Sequence, residues 1–328
     1  MKISLITPAP KQSRGGNRVT ARRWARLLRE LGHEVRVARD YRDEPADLMI
    51  ALHAWRSAAS IERFRAQHPE APLVVALTGT DVYRYAASDA ATTLRSFDLA
   101  DTLVGLHDLV SDAIPREHRR KLVVIHQSAT ALPRRAPLQR RFEVLVIGHL
   151  REEKDPLRAA AAARLLPASS RIGIVHLGGA HDRQWAGRAR CEMAENQRYR
   201  WLGDVPGHAV RRALARAPLL VLSSIMEGGA NVVSEAVIAG VPVLASAIPG
   251  SIGLLGREYP GYFPVGDTAA LARLMRRAEE EPAFRAALDR HCAKRAPLFA
   301  PEREREAWRG LLARLAPAER RLSAKQRS

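Results

Sequence analysis

LLVLSSIMEGGANVVSEAVIAGVPVLA, residues 219–245, sets the fold class of this chain. Four apolar residues, Leu219–Leu222, read as a buried strand. The loop that follows carries Gly228 and Gly229. A helical stretch, Asn231–Ala239, stops at Gly240, a residue suited to the left-handed position past a helix end. Pro242–Ala245 is the next strand. Strand, glycine loop, helix and strand within 27 residues make a βαβ unit, whose two strands lie parallel in one sheet.

The same alternation extends in both directions. Upstream in the second half are a strand at Phe142–Ile147, a helix at Pro156–Leu166 and a strand at Ile172–Leu177. A helix over 181–196, strands at Tyr199–Leu202 and Leu219–Leu222, and a helix near 207–216 follow. Downstream are helices over 267–280 and 282–295, and a last one from Pro301 to Leu315. The first half repeats the pattern with strands at Ile3–Thr7, Glu34–Ala38, Leu48–Leu52, Pro72–Leu77, Leu103–Leu106 and Leu122–His126. Its helices are Asn17–Leu31, stopping at Gly32, and Ser57–Gln67. Residues 127–141 (QSATALPRRAPLQRR) break the rhythm and read as a linker. The expected fold is α/β: two Rossmann-like domains in tandem, with parallel sheets, flanking helices and a ligand crevice at the carboxyl ends of the strands. The expected division is 1–135, 136–300 and a C-terminal helix with a basic tail over 301–328, the helix packing back on the first domain.

The chain has 328 residues, enough for two domains with cores of their own. Apolar residues make up 46% and charged residues 27%, which excludes wholesale disorder. No stretch approaches the roughly 20 apolar residues of a membrane span, and Met1–Pro8 reads as a first strand rather than a signal peptide. Cys191 and Cys292 are too few for a disulfide framework or a cysteine-rich zinc site. The expected compartment is the cytoplasm. The net charge is +18, and of 53 basic residues only six are lysine, leaving 47 arginines. That balance fits a GC-rich coding sequence as readily as a nucleic-acid surface. No zinc-finger or RNA-recognition signature accompanies it, and the arginines are spread along the chain.

Three segments carry chemistry. In the Ser223–Ala236 stretch, Gly228 and Gly229 allow a ligand close to the backbone. The N–H groups of Ala230 and Asn231 at the helix start favour a phosphate. Glu227 before the turn and Glu235 on the helix suit the hydroxyls of a nucleotide sugar. VIGHLREEKDP, residues 146–156, brings Gly148, His149, Arg151 and Lys154 out at the end of a strand, with Asp155 expected to cap the next helix. Cations there would neutralise a leaving diphosphate without a metal. KQSRGGNR, residues 11–18, places Gly15, Gly16, Asn17 and Arg18 at a helix start, an anion-receptive arrangement that His53, Arg56 and Arg84 extend. A dinucleotide-dependent oxidoreductase would need Gly-x-Gly-x-x-Gly after the first strand, and only Gly15-Gly16 is present.

Glu227-x7-Glu235, Ala236-x-x-x-Gly240-x-Pro242-Val243 and Gly148-x-Leu150-x-x-x-Lys154 together resemble the family-four glycosyltransferases of GT-B architecture. Trp201-Leu202-Gly203-Asp204-Val205 is similar to the family segment beside the nucleotide base. The resemblance implies that Lys154 holds the donor diphosphate, that Glu227 lies beside the sugar and that Glu235 binds ribose hydroxyls. Gly148, Arg151, Asp204, Val205, Gly228, Gly229, Ala230 and Asn231 complete the implied donor site. Glu227, Lys154 and His149 form the implied catalytic set. Two positions depart from the pattern: His149 stands where the family has arginine, and Thr78 stands where it often has histidine before Gly-x-Asp (here Thr78-Gly79-Thr80-Asp81).

A narrower resemblance accounts for these departures. GNRVTARRWA (16–25), LHAWRS (52–57), LTGTDVY (77–83), GHLREEKD (148–155) and MEGGAN (226–231) are similar to the selenosugar synthases of selenoneine biosynthesis. That likeness implies transfer of a sugar from a UDP-sugar, UDP-N-acetylglucosamine favoured, to selenophosphate, with loss of UDP and phosphate. It implies an acceptor site at Gly15, Gly16, Asn17, Arg18, His53, Arg56, Thr80 and Asp81, with no metal, cofactor, nucleic acid or membrane. Selenophosphate is already an anion with an exposed nucleophilic atom, so it needs positioning and charge compensation more than a general base. Transfer to a hydroxyl or thiol acceptor, and sugar-nucleotide epimerisation on the same fold, remain alternatives at this point.

Overall fold

A computed structural model describes residues 1–136 and 141–315. Part of the segment read as a linker, 137–140, and the tail from 316 lie outside the described residues. The chain divides into two compact units, Met1–Ser128 with the segment from Ala300, and Ala129–Phe299.

The first unit is built on six parallel strands: β1 (Lys2–Ile6), β2 (Glu34–Ala38), β3 (Leu48–Leu52), β4 (Leu73–Ala76), β5 (Thr102–Gly105) and β6 (Leu122–Val124), ordered β2-β1-β3-β4-β5-β6. Ile3 lies opposite both Val35 and Leu48, which fixes the register at the centre. Side chains alternate between faces, as strand geometry requires. Leu48, Ile50 and Leu52 enter one core with Trp24 and Leu28, while Met49 and Ala51 enter the other with Ile61, Phe64 and Phe97. Helix α1 (Gly16–Glu30) buries Ala21, Trp24, Ala25 and Leu28, the i, i+3, i+4, i+7 stripe of an amphipathic helix. It stops at Gly32, whose φ of +85° lets the His33 N–H return to the Leu28 carbonyl at 3.1 Å. Helix α2 (Ala58–Gln67) follows β3. A π-helical turn (Asp81–Tyr85) leads into α3 (Ala86–Ser88) and α4 (Ala90–Leu99). Helix α4 escaped the sequence reading because AATTLRSFDL shows little apolar periodicity, and the Asp89 side chain caps it by accepting the Thr92 N–H.

The second unit repeats the plan: β7 (Phe142–Ile147), β8 (Ile172–Leu177), β9 (Tyr199–Trp201), β10 (Leu219–Leu222), β11 (Val243–Ser246) and β12 (Tyr262–Phe263), ordered β12-β11-β10-β7-β8-β9 and parallel throughout. Its helices are α5 (Arg158–Arg164), α6 (Arg183–Glu195), α7 (Gly207–Leu214), α8 (Asn231–Ile238), α9 (Pro249–Leu255), α10 (Thr268–Glu280) and α11 (Pro282–Arg295). The expected N-cap at Asp155 is corrected. Asp155 is left-handed (φ +41°) and ends a 3-10 turn, while α5 begins three residues later behind Leu157. Its carboxylate instead accepts Arg158 Nε at 2.7 Å.

A last helix, α12 (Pro301–Leu315), belongs to the first unit. Trp308 meets Trp24 edge to face with centroids 4.8 Å apart, and Leu311 and Leu312 join the same core. Glu304, 1% exposed, is the polar anchor. Its carboxylate accepts Trp24 Nε1 at 2.7 Å, the Ser128 N–H at 2.9 Å and the Ser128 hydroxyl, and it pairs with Arg23 at 3.0 Å.

In both sheets the strand order reverses direction once, between β1 and β3 in the first unit and between β7 and β10 in the second. Loops leaving the carboxyl ends of strands at such a reversal splay apart and leave room for a ligand. The loop before α1 and the loop opening at His53 flank the first reversal. The loops at Gly148–Lys154 and Ser223–Ala230 flank the second. Among the described residues no helix is long and apolar enough to cross a membrane.

Candidate active site

In the second unit the loops after β7 and β10 are stapled together. The Ile225 N–H donates to the Glu153 carbonyl at 2.9 Å, and the Ser223 hydroxyl lies 2.8 Å from the Asp155 carbonyl and 3.2 Å from that of Lys154. These ties bring Lys154 Nζ onto Glu227 Oε1, which also accepts the Ser224 hydroxyl at 2.6 Å. Glu227 is 9% exposed and Lys154 is half-buried, so the pair sits where water screens it little. Gly250, in the first turn of α9, backs this arrangement. A Cβ there would overlap the Glu227 carbonyl, so only glycine lets α9 approach.

His149 is held beside the pair by the loop after β8. Its Nδ1 accepts the Gly179 N–H at 3.1 Å, which places the ring proton of the neutral form on Nε2. Burial holds its pKa below the ordinary histidine value, outweighing the Gly179 bond and the Asp204 charge. The imidazole is therefore neutral at pH 7 and contributes a dipole, not a cation. Beneath it, His176 is fully buried between the Tyr199 hydroxyl at 3.0 Å and the Gly148 carbonyl at 3.0 Å, and burial drives its pKa to about 4. Gly178 packs against the Gly148 carbonyl so closely that a Cβ would overlap it. The turn at Gly148 is thus fixed from below. A small pocket follows, lined by Gly148, His149, Lys154, His176, Ser223 and Ser224.

Arg151 stays on its own turn, with Nε 3.8 Å from Glu153. Asp204 is exposed beyond β9 and approaches Gly179, and Val205 packs on the core. Gly228 and Ala230 are buried, and Gly229 is half-buried. Asn231 opens α8, which has no side-chain cap, and Glu235 lies half-buried one turn on.

In the first unit, His53 follows β3 with a φ of +75° and is 2% exposed. Its Nδ1 accepts the Arg56 N–H at 3.2 Å, and Nε2 lies 2.9 Å from Thr80 Oγ1. Asp81 is fully buried. Its carboxylate accepts the backbone N–H groups of Ala54, Thr78, Gly79 and Val82 at 2.7–3.1 Å. Asp81 thus braces the loop from within. Arg56 is exposed. Gly15 precedes α1 without a side-chain cap, Gly16 and Asn17 form its first turn, and Arg18 is half-buried. His53 and Thr80 are thus bonded to each other, Asp81 ties the backbone of the same two loops, and Gly15–Arg18 occupies the neighbouring loop across the reversal. Sequence reasoning passed over Ser223, Ser224, His176 and Gly250, which hold the charged groups in place. Only the serines adjoining Glu227 offered a signal.

Among the described residues no cluster of three or more His, Cys, Asp or Glu is placed to hold a metal ion. Two parallel six-stranded Rossmann-like units with these loops define a GT-B glycosyltransferase fold. The family model for glycosyl transferases group 1 matches residues 131–297, and the chain belongs to that family. The structure is similar to sucrose-phosphate synthase from Thermosynechococcus elongatus, with 19% identity, a TM-score of 0.80, and 96% of this chain and 98% of that one covered. It is also similar to HepE from Anabaena in complex with UDP-glucose, with 16% identity, a TM-score of 0.75, and 95% and 99% coverage. TarM from S. aureus, in a complex containing UDP, matches at 15% identity with a TM-score of 0.62 over 80% of this chain and 55% of that one.

Proposed function

We propose that this glycosyltransferase moves a sugar from a UDP-sugar, UDP-N-acetylglucosamine favoured, to selenophosphate, making a carbon–selenium bond. The likeness to HepE, solved with UDP-glucose, supports the donor class. In this reading Lys154 neutralises the leaving diphosphate, with the N–H groups at the start of α8 beside it. Glu227 orients Lys154 and accepts from sugar hydroxyls, and Glu235 binds the ribose. Selenium attacks the anomeric carbon as the carbon–oxygen bond to the diphosphate breaks and UDP leaves. Water then cleaves the selenium–phosphorus bond, releasing phosphate.

The observation that carries the acceptor assignment is the state of His53 and Asp81. An alcohol acceptor gains from a base positioned to take its proton. Both candidate bases are engaged by the protein: His53 through Arg56 and Thr80, Asp81 through four backbone N–H groups. An acceptor that arrives already ionised has no need of either. The test is incubation with UDP-N-acetylglucosamine and selenophosphate, reading UDP by chromatography and the selenosugar by mass spectrometry. UDP formed with an alcohol or thiol acceptor, and none with selenophosphate, overturns the proposal.

A further inference from the structure

Among the polar side-chain atoms of the first unit that are enclosed by protein without a hydrogen-bond partner, Thr78 Oγ1 and Arg18 Nε lie in loops and turns past strand ends, whereas Trp308 Nε1 lies within the apolar core. A hydroxyl or guanidinium N–H removed from water without a partner costs stability, so such atoms are uncommon and call for a specific cause. Their placement in the fold supplies one. Thr78 lies just past the carboxyl end of β4, and Arg18 lies in the first turn of α1, just past the carboxyl end of β1. In sheet order β1 and β4 are separated only by β3, a lateral distance of about 10 Å. The Thr7 hydroxyl holds the start of α1 against the end of β1 through the Asn17 carbonyl. The backbone of Thr78 is locked by the Asp81 carboxylate.

Both atoms donate, and a rigid backbone presents each at the same edge of the sheet. We propose that Thr78 and Arg18 hold the oxygens of a tetrahedral oxyanion, the phosphoryl group of the acceptor. The inference rests on the acceptor reading above and gives it a geometry. Hydrogen-bond donors engage hard oxygen atoms in preference to selenium. The acceptor is then held by its oxygens, and selenium is left to attack.

Thr78→Val tests this, because it replaces the hydroxyl with a methyl of nearly the same size. The expected result is a KM for selenophosphate raised about 10- to 100-fold, the worth of a hydrogen bond to a charged group, with the KM for the UDP-sugar unmoved. Thr78→Ser restores the wild-type value. The melting temperature of Thr78→Val stays level or rises, since an unpaired buried hydroxyl has been removed; a purely structural threonine would lower it. An unchanged selenophosphate KM, or a lowered melting temperature with both KM values raised together, overturns the proposal. Binding of thiophosphate by calorimetry separates this inference from the functional reading. If the wild type makes no selenosugar yet binds thiophosphate, and Thr78→Val binds it at least tenfold more weakly, the oxyanion site stands and the acceptor assignment falls. Equal thiophosphate affinity in wild type and variant removes the site.

Discussion

Lys154 and Glu227 stand 73 residues apart in the chain and form an ion pair at the carboxyl edge of the second sheet. The pair gathers the charge of the site at the point where β7 and β10 diverge. In the proposed function a donor diphosphate draws on the same ammonium, and Glu227 tunes how much positive charge Lys154 offers it.

Removing either partner should therefore stop turnover by different routes. Lys154→Met is expected to lower UDP release by about 100-fold or more, the scale of a lost charge-stabilising group. Glu227→Gln should lower it comparably while leaving Lys154 without its counter-charge. Truncating one member of a half-buried pair costs about 1–3 kcal/mol, and the double variant should be less destabilised than the two singles summed. Turnover assays with urea denaturation of all three variants check this.

Gly250→Ala places a methyl against the Glu227 backbone. Overpacking of this kind costs about 1–3 kcal/mol. The displaced carboxylate should lower UDP release by about tenfold or more, since a shift near 1 Å at a reacting group has effects of that order. Gly187→Ala, where a Cβ inside α6 meets nothing, is the control and should leave UDP release unchanged while raising stability by about 0.5–1 kcal/mol, the helix preference of alanine over glycine.

Stability should fall in mild acid. Burial holds His107 and His176 at about 4, below the unfolded value near 6.5. Between these values the unfolded chain binds protons that the folded protein refuses, so the contribution is full above pH 6.5 and is lost as the pH drops toward 4. Each histidine contributes about 3 kcal/mol over that window. Urea midpoints at pH 7.5 and 4.5 measure the loss, and His176→Gln should flatten the profile.

Glu304→Gln removes the charge that Arg23 pairs with and turns an amide NH2 toward groups that donate. Replacing the acceptor of several buried bonds costs about 2–4 kcal/mol. Thermal denaturation should register the change, and protease cleavage near α12 should quicken.

The strand and helix alternation was legible because buried parallel strands are continuous apolar runs and the helices between them are amphipathic. Glu227, Lys154 and Gly148 stood out because glycine loops beside charged residues, at the ends of such runs, have few other uses. Helices α4 and α9 and the two-residue strand β12 were not legible. Their local sequences carry weak periodicity, and they form because neighbours cover them. Asp81 shows the opposite limit. Its Thr-Gly-Thr-Asp turn stood out in the sequence, but the four backbone donors from two loops that its carboxylate accepts were not legible there.

The sequence by itself determined the fold class, the two repeats of it and the loops that carry charge, since these follow from local pattern and chain order. The tertiary structure alone decided what those charges do. Strand order brought the loops after β7 and β10 side by side, pairing Lys154 with Glu227 across 73 residues. Burial, a property no local stretch possesses, made His149 neutral, filled Asp81 with backbone bonds and left the Thr78 hydroxyl without a partner in the protein.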